Sequence, residues 1–89
     1  MAHTFDVSVQ MHLCGGPVAT AASLQLEATL PNLLIHEQHA VATFAPNIDL
    51  CVNDYQPVDG YFEFPDLPGI GQELSEQAIS NADIYTVTG

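Results

Sequence analysis

An α/β fold, built on one right-handed βαβ unit and trailed by an irregular C-terminal arm, is what this sequence predicts. Three observations carry the prediction. Residues 5–12 alternate apolar and polar, Gly15-Gly16-Pro17 opens a stretch rich in alanine and leucine, and the apolar run Leu33-Leu34-Ile35 ends in His36-Glu37.

In the first element, Phe5, Val7, Val9 and Met11 fall on one side of an extended chain and Asp6, Ser8, Gln10 and His12 on the other. That is the two-residue period of a strand. Glycine followed by proline then signals a helix start, since proline suits the first helical position. The spacing predicts a mostly apolar helix over 17–29, with Val18, Ala21, Ala22, Leu24 and Ala28. Pro31 ends it, because the residue before a proline avoids helical backbone. Residues 33–37 read as a second, buried strand.

A strand, a helix and a strand joined by short loops form a βαβ unit. Its strands run parallel, and the crossover is nearly always right-handed. Parallel strands end on the same edge of the sheet, and ligands of open α/β sheets and of β/α barrels bind at that edge. His12 and Glu37 both stand at such ends, so they are expected to face one crevice.

The rest of the chain changes character. Residues 40–57 lack periodicity and contain Pro46, Asn47, Asn53 and Pro57, which predicts an irregular crossing segment. Val58-Asp59-Gly60 is a turn signal, Tyr61–Phe64 is expected as a short strand, and PDLPGIG (65–71) as a rigid loop. Leu74 to Ala82 is expected as a short helix capped by Ser75. The tail from Asp83 to Gly89 is expected to be strand-like.

Composition excludes several functions. The chain has 89 residues, 11 carboxylates and no lysine or arginine. Nothing in it displaces counterions from a phosphate backbone, so nucleic acid is not an expected partner. An anionic membrane surface is not one either. No lysine Schiff base and no arginine clamp is possible. No apolar run approaches the roughly 18 residues that cross a bilayer. The N-terminus MAHTFDV has no secretory pattern, and a cytoplasmic location is the expectation. Like charges repel on compaction, so either bound cations, as in a salt-rich cytoplasm, or basic groups of other segments must offset them. Cys14 and Cys51 are expected as two buried free thiols, with one disulfide arithmetically possible. His12-x-Cys14 has no companion CxxC or HxxxH, so no metal site is expected from this chain alone. His36 and His39 are expected to be structural or solvent-facing. Gly15-Gly16 is expected to permit the tight turn rather than to bind an anion. One βαβ unit does not cover both faces of its own sheet, as parallel strands require. The expectation is a C-terminal piece of something larger, or a domain that a partner completes.

Two stretches resemble a known family. GGPVATAASLQLEATLPNLLIHE (15–37), preceded by His12, resembles the seventh and eighth strands of the enolase superfamily barrel. It is most similar to the mandelate racemase and acid-sugar dehydratase branch (galactonate and gluconate dehydratase-like). VDGYFEFPDLPGIGQEL (58–74) resembles the closing segment of the same family, from which Gln72 departs by replacing an apolar residue. The resemblance implies a partial (β/α) barrel, with residues 1–39 the C-terminal βαβ piece of a TIM-like barrel. Residues 40–89 would be an arm packing against the rest of the barrel and a capping domain.

It also implies roles. His12 would take or return a proton at the carbon next to a substrate carboxylate, a task suited to a group that titrates near neutrality. Glu37 would contact that carboxylate or the enediolate formed from it, with burial favouring its neutral form. A Mg2+ ion would act as Lewis acid, held by ligands on earlier strands that this sequence does not contain. The sixth-strand aspartate that orients the histidine and the capping domain are likewise outside it. The isolated chain is therefore expected to be inactive, in a parent enzyme that dehydrates a sugar acid as a homo-oligomer or with the missing N-terminal part. The alternative is a small acidic interaction or oligomer-forming protein that keeps only the fold segment.

Overall fold

The computed structural model describes all 89 residues. Strand β1 (Val9–Leu13) pairs in parallel with β2 (Leu33–Gln38), and helix α1 (Pro17–Glu27) connects them. Short helices α2 (Ala45–Ile48) and α3 (Glu76–Asn81) lie in the arm. The result is a small α/β unit with a two-stranded parallel sheet, as expected.

Helix α1 begins at Pro17, with Gly16 as an extended N-cap whose carbonyl accepts from Thr20 N at 3.1 Å. Gly15 cannot be another residue without rearrangement, because a Cβ there would lie 2.9 Å from that of Ala19. The helix buries Thr20, Ala21, Leu24 and Glu27, which recur at helical spacing along one stripe. Leu24 is the largest fully buried side chain, and its burial contributes about 1.5–3 kcal/mol. The helix ends at Glu27, two residues before the predicted limit, and turns from Thr29 to Leu30 close the path to Pro31.

The first strand is shorter than predicted. Residues Ala2–Phe5 form a 3-10 turn, closed by Asp6 in left-handed backbone at φ 55°. The alternation through Phe5 and Val7 is real, but those positions have no strand beside them. The partner strand begins only at Leu33, and Asn32 ends the ladder by accepting from Val9 N at 2.9 Å and donating its side-chain amide to Val7 O at 2.7 Å.

The register of β1 against β2 carries one irregularity. Val9 pairs with Leu33, but Gln10 pairs with Ile35, so Leu34 is an extra residue on β2. Beyond that shift Met11 faces His36, His12 faces Glu37 and Leu13 faces Gln38.

In the arm, the backbone of Leu50 to Asn53 pairs antiparallel with Gln72 to Ser75. Val52 N donates to Glu73 O at 2.8 Å and Ser75 N to Leu50 O at 2.9 Å. Gln72 makes reciprocal bonds with Asn53, accepting from its N–H at 3.1 Å and donating to its C=O at 2.8 Å. The departure at Gln72 therefore has a structural reason. Ser75 caps α3 as predicted, accepting from Ala78 N at 3.2 Å. Two expectations fail. Asp59 (φ 51°) and Gly60 (φ 82°) form the tight turn, but beyond the single Val58–Tyr61 bridge residues 61–64 have no strand partner. The tail from Asp83 to Gly89 has no regular structure, pairs with no strand and is exposed. No helix is long and apolar enough to cross a membrane.

Candidate functional site

His12 and Glu37 project from adjacent C-terminal strand ends on the face of the sheet opposite α1. His12 Nε2 lies 3.9 Å from Glu37 Oε1, and the side chains are 61% and 53% exposed. Such an open pair adds at most about 1 kcal/mol to stability. Burial therefore does not act on Glu37 in this chain, contrary to the sequence expectation, since nothing covers that face of the sheet. Gln10, two residues before His12 on the same side of β1, donates its amide to Glu37 Oε2 at 2.8 Å. The period of two foretold that Gln10 shares a face with His12. Its contact across the sheet was not legible, because that depends on register.

The other face holds a second glutamate–histidine pair with the opposite environment. His36 Nδ1 lies 2.6 Å from Glu27 Oε1, and the side chains are 8% and 1% exposed. His36 Nε2 faces Gln38 Oε1 at 2.6 Å, and the Gln38 amide continues to Thr20 Oγ1 at 3.4 Å. The His36 ring packs edge-on against Phe62, with centroids 4.8 Å apart at 63°. A buried carboxylate needs a partner, and with no lysine or arginine in the chain a histidine fills that place. His36 is thus structural, as expected. Glu27 escaped sequence reading because a glutamate near a helix end usually faces water. His39 is exposed and accepts from Val41 N at 3.2 Å, capping the turn Ala40–Thr43.

Both cysteines are free, but only Cys51 is buried. Cys14, one residue past the end of β1, is exposed, contrary to expectation. Burial pushes the Cys51 thiol above its ordinary range.

No group of three or more His, Cys, Asp or Glu side chains converges closely enough to hold a metal ion. Magnesium, which the resemblance implies, takes several oxygen ligands in octahedral geometry. One exposed carboxylate beside an imidazole does not fit that demand.

Comparison with known proteins shows the family of the chain. The family model described as enolase C-terminal domain-like matches residues 1–78. The chain belongs to that family. Among curated relatives of this enolase C-terminal domain-like chain is the D-galactonate dehydratase of Pectobacterium atrosepticum. It is 31% identical, over 89% of this chain and 22% of that protein. The D-xylonate dehydratase of Haloferax volcanii is 33% identical, over 89% of this chain and 19% of that protein. Among solved structures, a member of the enolase superfamily from Salmonella Typhimurium superposes with a TM-score of 0.92. Its identity is 46%, covering 98% of this chain and 22% of that one. The chain thus spans about a fifth of the length of the proteins it matches.

Proposed function

We propose that this chain is the C-terminal portion of a magnesium-dependent sugar-acid dehydratase, with His12 as general acid/base and Glu37 as the contact to the substrate carboxylate or enediolate. Residues 1–39 are then the last two strands of a β/α barrel with a right-handed crossover, and residues 40–89 an arm laid against the rest of it. The observation that carries the reading is the emergence of His12 and Glu37, 3.9 Å apart, from the same edge of two parallel strands. The names of the relatives support the reaction class, and no observation favours the non-catalytic alternative.

An imidazole moves protons near neutral pH, and His12 Nε2 is the atom directed toward Glu37. Removal of the proton next to a carboxylate builds negative charge on the carboxylate oxygens. Glu37 serves that charge by sharing a proton with it, not as a bare carboxylate. Expulsion of a hydroxyl from the neighbouring carbon then completes the loss of water. Magnesium belongs to the complete enzyme, and its ligands come from segments outside this chain.

The test is the mass of the native protein together with dehydration of D-galactonate and D-xylonate in the presence of MgCl2. A mass well above the 9.5 kDa of this chain and sugar-acid turnover are expected. His12→Asn should lower kcat by about 10²- to 10⁴-fold, the usual contribution of a general acid/base. A working unit of 89 residues alone, or undiminished turnover by the His12→Asn variant, would refute the reading.

A further inference from the structure

We propose that Gln10 is a positioning residue for Glu37, its amide holding one carboxyl oxygen so that the other is presented to His12. The proposal rests on the dehydratase reading above and adds a third residue to it.

The two oxygens of Glu37 have separate neighbours. Oε2 accepts from Gln10 Nε2 at 2.8 Å, inside the range of an N–H···O hydrogen bond. Oε1 stands 3.9 Å from His12 Nε2. Nothing else given by this chain orients that carboxyl. It is half exposed, the torsion about its last bond is soft and roughly two-fold, and there is no lysine or arginine to grip it.

The type of donor matters as much as its place. A lysine or arginine at position 10 would favour the ionised form of its partner. An amide is neutral and does not titrate. It fixes the orientation of the carboxyl while leaving the proton to be shared among Glu37, His12 and substrate. Gln10 reaches Glu37 only because the extra residue Leu34 brings Glu37 opposite His12. The same register shift that assembles the pair therefore supplies its support.

The experiment uses the native full-length protein, with MgCl2 and with D-galactonate and D-xylonate as probes. Gln10→Leu keeps the bulk and removes the donor. It should lower kcat about tenfold with KM within about twofold, the signature of an interaction needed in the transition state. Its melting temperature should change little, because the only hydrogen bond the Gln10 side chain makes in this chain is the one to Glu37. Gln10→Asn should recover part of the lost kcat. Gln10→Glu, which sets a like charge against Glu37, should fall below Gln10→Leu. A Gln10→Leu kcat within twofold of the unsubstituted protein, or a loss matched by a lower melting temperature, would overturn the role of Gln10. With His12→Asn inactive, that outcome leaves the dehydratase reading standing. Full turnover by both His12→Asn and Glu37→Gln would overturn the two together.

Discussion

Cys14 and Cys51 carry the same functional group into different surroundings, and their reactivities should separate. The thiolate is the reactive form. Cys14 is exposed, whereas Cys51 is buried and its thiol is held above the ordinary range by desolvation. Iodoacetamide near pH 8 should therefore label Cys14 long before Cys51, as read by peptide mass mapping. Equal rates would show that the packing around Cys51 does not persist in solution. The pH dependence has a definite sign. A raised pKa means that the folded state holds the thiol proton more tightly than the unfolded one. The contribution is fully present below the ordinary thiol range and is lost as pH rises through the raised value. Stability should fall on the alkaline side, and Cys51→Ala should flatten that fall. At the same scale, the placement of His12 and Glu37 at strand ends followed from the apolar pattern and the Gly-Pro helix start. The different fates of His12 and His36 did not. Both follow alternating or apolar residues, and only the neighbours across the sheet and in α1 make one exposed and the other buried.

Between elements, the deciding feature is the extra residue in β2. Without the shift after Val9, the pairing that starts at Val9–Leu33 would set His12 against His36. A one-residue slip moves a strand's whole set of side chains to the opposite face. With Leu34 inserted, Glu37 meets His12 on the open face, while His36 and Gln38 turn to α1. The Glu27–His36 contact then ties the end of α1 to β2 and fixes that choice. Glu27→Ala should cost about 1–3 kcal/mol, the penalty for leaving a buried polar partner unsatisfied. Glu27→Gln, which keeps a polar partner for His36, should cost less. Urea melts of the native full-length protein and both variants measure this, and a loss under 1 kcal/mol for Glu27→Ala would deny the contact its part in the fold. The Ser75 cap and the Asp59-Gly60 turn were legible because each is a local device. The strands expected at 5–8, 61–64 and 83–89 were misjudged because a strand exists only where a neighbour offers a ladder.

Taken as a whole, the molecule is open. Only 8 of 89 residues are buried, and the accessible surface is 6684 Å². A folded monomer of this mass exposes about 5,000 Å². The radius of gyration is 15.1 Å, against about 12 Å for a compact domain of this length. Leu34, Ile35, Phe5, Phe44 and Tyr61 are among the large apolar side chains left exposed. A two-stranded sheet is marginal alone, and a charge of −11 with no lysine or arginine opposes compaction. Residues 1–89 by themselves should therefore sediment as oligomers or melt without a sharp transition at 0.1 M KCl or about that. Their thermal transition should rise and sharpen toward about 1 M KCl, where the screening length drops from about 10 to about 3 Å. A sharply melting monomer at low salt would contradict this.

The amino-acid sequence on its own determined the βαβ order, the start of the helix at Pro17, the Ser75 cap and the edge on which His12 and Glu37 stand. These depend on local backbone preference and on hydrophobic period, both of which a linear chain displays. Tertiary structure alone decided which histidine meets which glutamate, that Gln10 holds Glu37, and where strands end for lack of partners. Those outcomes depend on register and on cross-strand neighbours, and neither exists until distant segments lie side by side.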